Sequence, residues 1–280
     1  MPIWIGTSGW QYRHWRAGLY PVGLAQSHWF DRYVEEFDTV ELNVTFYRQP
    51  RPEVFESWAR RVPEHFLFAV KASRFLTHIL RLRTPQDSID MLMEGASRLG
   101  SHLGPVLIQL PPDMTVEIER LDETLAAFPK DVRVAVEPRH RTWFVEPVLD
   151  VLRRHGAALC WADRRRPLNP TTPEWATADW GYVRFHNGTA TPKGCYSERV
   201  LSNWLERITT AWRPEQDVFA YWNNDFRGCA PRDAGIFARQ AVQADVPTTK
   251  APDPDVLLLG EDLAAAGAAG SRSVRAARRT

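Results

Sequence analysis

Polar and ionisable residues recur two positions apart at the carboxyl ends of the predicted strands. These positions are Glu41 and Asn43, Lys71 and Ser73, Gln109, Glu137 and Arg139, Asp163, Arg184 and His186, and Tyr221 and Asn223. Residues i and i+2 of a strand point to the same face of a sheet. Because an ionised carboxylate such as that of Glu41 is costly to bury unless it is paired or used, the pattern predicts one shared polar layer.

The residue types in this layer predict acid/base chemistry on an anionic substrate. Glu41, Glu137 and His186 are the candidate catalytic residues, since carboxylates and imidazole exchange protons. Cationic and amide side chains are the candidate substrate-binding residues: Asn43, Lys71, Gln109, Arg139, Arg184, Asn223 and Asn224. The cations would hold the anion and the amides would orient substrate groups, which favours hydrolysis of a phosphodiester or a sugar phosphate.

Other uses of the same residues stay open. Glu41, Glu137, Asp163 and His186 form a possible oxygen and nitrogen ligand set for a divalent metal, although no HxxxH or DxD spacing supports it and the sequence requires no cofactor. Lys71 could form a Schiff base with a carbonyl substrate. The layer could also be purely structural, with a buried ion pair such as Glu137 with Arg184.

The loops that follow the predicted strands combine cations with aromatic residues. The cations are Arg13, Arg16, Arg48, Arg51, Arg74, Arg81, Arg83, Arg139, Arg141, Arg164, Arg165, Arg166, Lys193 and Arg227. The aromatic residues are Trp10, Tyr12, Trp15, Tyr20, Phe46, Tyr47, Phe75, Trp175, Trp180, Tyr196 and Phe226. Such a face suits phosphates, sugars or unstacked bases, so we expect a small anionic substrate or, as an alternative, single-stranded nucleic acid.

The elements that must position these residues alternate between short apolar runs and helix-period segments. Strands are predicted near 3–8, 38–44, 66–71, 105–110, 132–137, 157–162, 181–186 and 217–222. Residues 163–180 contain three prolines and no helical period, which predicts a loop. Eight such units in about 240 residues predict a single α/β domain, a (β/α)8 TIM-type barrel with an irregular unit between strands six and seven.

Composition and charge exclude several classes of protein. The 280 residues are 44% hydrophobic and 25% charged, which is typical of a globular protein, and a net charge of +1 implies no bulk attraction to polyanions. The N-terminus lacks the features of a signal peptide and no stretch reaches ~18 apolar residues, so we expect a cytoplasmic protein without membrane contact. Cys160, Cys195 and Cys229 lack CxxC spacing, which predicts neither a disulfide framework nor a zinc site.

The periodic pattern stops near residue 246. Residues 247–256, PTTKAPDPDV, are rich in proline, and the low-complexity AAAGAAG stretch and a basic end follow them. The sequence therefore predicts a barrel domain over 1–246 and a disordered C-terminal tail over 247–280.

Several long motifs resemble the YecE-like proteins, domain of unknown function 72. They are IGTSGWQYRHWRAGLYP (5–21), FDTVELNVTFYRQP (37–50), FLFAVKASRFLTH (66–78), LGPVLIQLPP (103–112), VAVEPRHRTWF (134–144), YVRFHN (182–187) and YWNNDFRGCAP (221–231). The resemblance runs from about Ile3 to Ala244. It implies a TIM barrel but brings no established reaction.

We therefore predict a YecE-like TIM-barrel enzyme, a hydrolase acting on a polar, phosphate-bearing substrate at the carboxyl ends of the strands. One alternative is a non-catalytic protein that binds single-stranded nucleic acid. Another is a scaffold whose polar barrel top is only structural. The substrate, metal dependence and oligomeric state stay open.

Overall fold

Parallel strands follow one another around one sheet in the computed structural model, which describes residues 2–163, 172–191 and 193–257. The strands are β1 Ile3–Thr7, β2 Thr39–Leu42, β3 Leu67–Lys71, β4 Leu103–Gln109, β5 Val134–Glu137, β6 Ala158–Leu159, β7 Trp161–Asp163, β8 Gly181–Phe185 and β9 Val218–Trp222. Their order is β6-β5-β4-β3-β2-β1-β9-β8-β7. Apart from the two halves of the sixth predicted strand, each strand therefore lies beside its neighbour in sequence, and β1 also pairs with β9.

The two edge strands, β6 and β7, are the halves of the predicted sixth strand. They are separated by Cys160, whose N–H donates to the Val136 carbonyl at 2.8 Å. Because β6 pairs with β5 and β7 pairs with β8, the broken strand joins the two edges into a nearly closed barrel. The predicted TIM-type fold class is confirmed.

Helices connect the strands on the outside of the barrel. They are α1 Trp29–Glu36, α2 Val44–Tyr47, α3 Pro52–Ala59, α4 Gln86–Ala96, α5 Ile118–Ala126, α6 Glu146–Arg154, α7 Glu198–Ala211 and α8 Cys229–Gln243. Ser197 begins α7 as its N-cap, where its side chain accepts from the Val200 N–H. The predicted second strand extends two residues too far at its carboxyl end, since β2 ends at Leu42 and Val44 already begins α2.

The core has an outer layer between strands and helices and a smaller layer inside the barrel. Small residues of the inner layer, including Ala69, Ala135 and Ala162, leave room for Tyr182 and Tyr221. Side chains alternate between the two layers along each strand. The residues two positions beyond Ala69, Ala135, Tyr182 and Tyr221 therefore also point into the lumen, at its carboxyl end.

Residues 247–257 lie against the barrel, although the sequence assigned them to a separate tail. The Ile3 N–H donates to the Pro247 carbonyl at 2.8 Å, and the Thr249 N–H donates to the Ile3 carbonyl at 3.0 Å. Gly235 of α8 approaches this segment so closely that a Cβ there would lie 2.2 Å from the Pro252 oxygen. These contacts continue the barrel domain past the predicted boundary at residue 246, whereas residues 258–280 lie outside the described residues.

A disulfide bond joins Cys195, in the loop after β8, to Cys229, the first residue of α8. The prediction that the cysteines form no disulfide is therefore wrong. The two residues are 34 positions apart in sequence, and the return of the chain through β9 brings them together. Local cysteine spacing therefore does not predict this disulfide. Cys160 lines the lumen instead.

The irregular unit is confirmed where it is described, because residues 172–180 contain neither helix nor strand. The predicted cations Arg164, Arg165 and Arg166 lie outside the described residues. Within the part of the chain that is described, no helix is long and apolar enough to cross a membrane.

Candidate functional site at the carboxyl end of the barrel

Arg184 lies at the centre of the polar layer and connects two carboxylates. Its Nη2 donates to Glu41 Oε1 at 2.7 Å and its Nη1 donates to Glu137 Oε2 at 2.6 Å. All three side chains are fully buried. Burial opposes ionisation of Glu41, but Arg184 and Lys71 outweigh it and hold the pKa of that carboxyl below its ordinary value. The three charges therefore stabilise one another in the lumen.

Neutral donors complete the coordination of both carboxylates. Ser8 Oγ donates to Glu41 Oε1 at 2.7 Å, and the Tyr182 hydroxyl donates to Glu41 Oε2 at 2.8 Å. Gln109 Nε2 donates to Glu137 Oε2 at 2.8 Å. Because buried acceptors that are fully bonded hold their geometry, Glu41 and Glu137 form a fixed anionic floor beneath the carboxyl end of the barrel.

Lys71 projects into the lumen from the end of β3 and is 8% exposed. Its Nζ lies 4.3 Å from the centre of the Phe46 ring, and it makes no hydrogen bond with a described residue. Burial, followed by the neighbouring charge of Arg184, lowers the pKa of Lys71 to about 7. An amine with this pKa is part neutral near neutral pH, so it can accept a proton or act as a nucleophile.

Arg139 and His186 surround the same opening. Arg139 Nε donates to Glu137 Oε1 at 3.4 Å, and burial lowers the pKa of its guanidinium. His186 Nε2 lies 3.7 Å from Glu137 Oε1, and His186 Nδ1 accepts from Asn223 Nδ2 at 3.0 Å. A neutral ring that accepts at Nδ1 carries its proton on Nε2, toward the carboxylate.

Two predicted site residues point away from this opening. Asp163 accepts from the Tyr196 hydroxyl at 2.7 Å on the helix side of the sheet, since its neighbour Ala162 faces the lumen. Asn224 donates to Asp233 Oδ2 at 2.7 Å and to the Gly194 carbonyl at 2.9 Å. The placement of Asp163 in the lumen is therefore wrong, and Asn224, predicted to bind substrate, lies one position beyond the residue of its segment that points inward.

The possible metal ligand set does not come together. Among the described residues, no group of three or more His, Cys, Asp or Glu side chains could hold a metal ion. Glu41 and Glu137 are bonded to Arg184, and Asp163 lies on the opposite face of its strand. The proposed set of these residues with His186 is therefore wrong.

The predicted face of cations and aromatic residues is only partly present. The described cations are exposed or partly exposed, as predicted: Arg13, Arg16, Arg48, Arg51, Arg74, Arg81, Arg83, Arg139, Arg141, Lys193 and Arg227. Tyr47, Phe75 and Phe226 are exposed, but six of the predicted aromatic residues are buried: Trp10, Trp15, Tyr20, Phe46, Trp180 and Tyr196. The prediction of a broad aromatic face is wrong, since the loop after β1 packs onto α1 and Tyr20 stacks on Trp29.

Sequence reasoning missed Ser8 and Tyr182 as members of the polar layer. Ser8 follows Gly6 by two positions at the end of β1, and Tyr182 precedes Arg184 by two in β8. The same rule of alternation that found Glu41 would have placed both in the lumen.

Most of the chain matches one family of known proteins. Residues 4–256 match the family model described as "Protein of unknown function DUF72". UPF0759 protein YunF of Bacillus subtilis is 26% identical over 258 residues, covering 81% of this chain and 90% of that protein. UPF0759 protein YecE of Escherichia coli is 28% identical over 146 residues, about half of each chain.

Solved structures show the same fold. The crystal structure of a DUF72 family protein from Thermotoga maritima is 25% identical, with a TM-score of 0.75, and the match covers 87% of this chain and all of that one. A DUF72 family protein from Enterococcus faecalis matches with a TM-score of 0.72 at 19% identity, over 85% of this chain and 94% of that one. The chain belongs to the DUF72 family of YecE-like barrel proteins.

Proposed function

We propose that this protein is an enzyme that hydrolyses a small phosphate ester at the carboxyl end of its barrel. The observation that carries the proposal is the buried amine of Lys71, which has a pKa of about 7 and no hydrogen-bond acceptor among the described residues. A basic group with a pKa near the working pH is suited to proton transfer. Active sites of barrels of this type lie at this end of the strands.

The geometry supports a division of roles among the site residues. Arg184 already donates to Glu41 and Glu137, so we assign these three residues to positioning rather than to substrate. Arg139 at the rim would hold the phosphate, because a guanidinium binds phosphate oxygens with two parallel hydrogen bonds. Asn223 would orient His186 through the hydrogen bond to its Nδ1.

The proposed reaction consumes one water per ester. Water attacks phosphorus, and the bond from phosphorus to the ester oxygen breaks as the new one forms. The neutral amine of Lys71 accepts the proton that water loses, and the departing oxygen takes a proton from solvent while the His186 Nε2–H donates a hydrogen bond to it. Lys71 then loses its proton to solvent, and the products are inorganic phosphate and an alcohol.

The same geometry favours, as a second candidate, a structural role for the barrel top. Glu41, Arg184 and Glu137 pair with one another inside the protein, as the scaffold hypothesis expects. Buried ion pairs of this kind occur without any catalytic use. The two candidates differ at Lys71, because hydrolysis requires its amine as a base, whereas a structural layer uses only its charge beside Glu41.

Hydrolysis of p-nitrophenyl phosphate and bis(p-nitrophenyl) phosphate, followed by nitrophenolate release, tests the proposal. Lys71→Met should lower the rate about 100-fold or more, the size expected for loss of a general base. Lys250→Met is the matched control, since Lys250 pairs with Asp38 at the opposite end of the barrel. If neither ester is hydrolysed and phosphate does not bind, the proposed hydrolysis is wrong and the structural candidate is favoured.

A further inference from the structure

A small cavity opens between the loop after β1 and helix α2. Its volume is about 250 Å³, and its walls include Ser8, Trp10, Tyr12, Asn43, Tyr47 and Trp58. None of its lining residues is Asp, Glu, Lys, Arg or His, although the charged layer of Glu41 and Arg184 lies directly beneath. The part of a ligand that occupies this cavity should therefore be uncharged.

The walls combine aromatic faces with a few polar groups. Trp10 and Trp58 meet edge to face at 5.8 Å between ring centres, and the Tyr12 hydroxyl donates to the Ser8 carbonyl at 2.6 Å. Tyr47 also lines the cavity and is 81% exposed, so most of its ring surface is open to solvent. Apolar ring faces with a few convergent polar groups are typical of sites for small molecules.

Asn43 supplies an amide oxygen that no described residue bonds. Asn43 precedes α2, where asparagine commonly caps a helix, yet its side chain makes no capping hydrogen bond. Its Oδ1 is buried without a hydrogen-bond partner in the described structure. A buried polar group left unbonded is unfavourable, so a ligand hydroxyl that bonds this amide would gain affinity.

The cavity adjoins the groups assigned to the phosphate. Ser8 lines the cavity and also donates to Glu41 at 2.7 Å. Leu42 also lines the cavity and pairs with Val70, the residue before Lys71, in the register of β2 and β3. The cavity is therefore separated from Lys71 by little more than the side chain of Glu41, whose charge acts on the Lys71 amine.

We infer that this cavity holds the sugar ring of a monosaccharide phosphate. The inference rests on the proposed function, since Arg139 would hold the phosphate end beside Lys71. Ring hydroxyls would bond the Asn43 amide, and the C–H faces of the ring would lie on Tyr47 and its aromatic neighbours. A volume of about 250 Å³ is below the ~300–1,000 Å³ of sites for drug-sized ligands, so it fits one ring rather than a nucleoside.

Calorimetric titration with three probes tests the inference: glucose 6-phosphate, inorganic phosphate and adenosine monophosphate. Glucose 6-phosphate should bind at least about tenfold more tightly than inorganic phosphate. Asn43→Ala and Tyr47→Ala should remove that advantage and leave inorganic phosphate binding unchanged. Phe75→Ala is the control, because Phe75 is exposed but lies outside this cavity.

The outcomes separate the inference from the proposed function. If inorganic phosphate binds and Lys71→Met weakens it, but glucose 6-phosphate binds no better, the sugar subsite is wrong and the phosphate site stands. If adenosine monophosphate binds most tightly, the subsite holds a nucleoside and the inference is overturned. If none of the three binds, both the subsite and the proposed function are wrong.

Discussion

Removal of the Arg184 side chain should be costly because it leaves two buried carboxylates without their shared cation. In Arg184→Met, Glu41 and Glu137 each lose a hydrogen bond of 2.6–2.7 Å. Breaking one buried pair by removing one partner costs about 3–5 kcal/mol. Since a domain is stable by only about 5–15 kcal/mol, we expect a loss of at least about 3 kcal/mol at pH 8.

The loss of stability in Arg184→Met should depend on pH. The contribution of Glu41 to the free energy of unfolding should rise with pH in the wild type and fall with pH in the variant. In the wild type the pKa of Glu41 is lowered below the unfolded value, so its contribution is present above that value and lost as pH falls. In Arg184→Met, burial without the cation should raise this pKa. Folding then favours the protonated acid, and stability should fall as pH rises through the raised value. The difference between the two proteins should therefore be larger at pH 8 than at pH 5.

Urea denaturation at both pH values measures these free energies of unfolding. Arg133→Met is the matched control, because Arg133 pairs with Asp217 at 2.7 Å but is 44% exposed, and such a pair contributes only about 0–1 kcal/mol. The triple variant Glu41→Gln, Glu137→Gln, Arg184→Met should recover part of the loss. A loss below about 1 kcal/mol at pH 8, or an equal loss at both pH values, would refute the reasoning.

Two further predictions concern the loops beside the site. Asn223→Ala should lower the phosphate-ester hydrolysis that the proposed function expects and leave the melting temperature nearly unchanged. Asn224→Ala should lower the melting temperature without lowering that hydrolysis, since Asn224 bonds Asp233 on the helix side. Equal effects of the two changes would contradict this division. Reduction of the Cys195–Cys229 disulfide, which closes 34 residues, should lower the free energy of unfolding by roughly 3–4 kcal/mol in urea titrations with and without dithiothreitol. A Cys195→Ser, Cys229→Ser double variant should show the same loss and no response to reductant.

The lumen could be predicted from sequence because it depends on local alternation. Once β2 and β8 are recognised as strands, Glu41 and Arg184 must point to the face opposite their apolar neighbours. Glu41 and Arg184 then lie close together because the sheet closes into a barrel, and the eight predicted strands already indicated a barrel. The pairing of Glu137 with Arg184, considered first as a structural alternative, is present at 2.6 Å.

The features that sequence reasoning missed depend on contacts between distant segments. Asp163 and Asn224 lie where a strand ends, so an error of one position moves each side chain to the other face. Trp15 and Tyr20 occupy a loop, where exposure is the usual expectation. They are buried because that loop packs on α1. The local sequence pattern of the loop does not predict this contact.

The most direct test of the account is the titration of Lys71 itself. The chain has only four lysines, Lys71, Lys130, Lys193 and Lys250, so reductive methylation with carbon-13 gives few NMR signals. We predict one signal, absent in Lys71→Met, that titrates at about 7 and moves to higher pH when phosphate is added, because the bound anion stabilises the ammonium form. If all the lysine signals titrate near their ordinary value of about 10.4, with or without phosphate, the proposed role of Lys71 is contradicted.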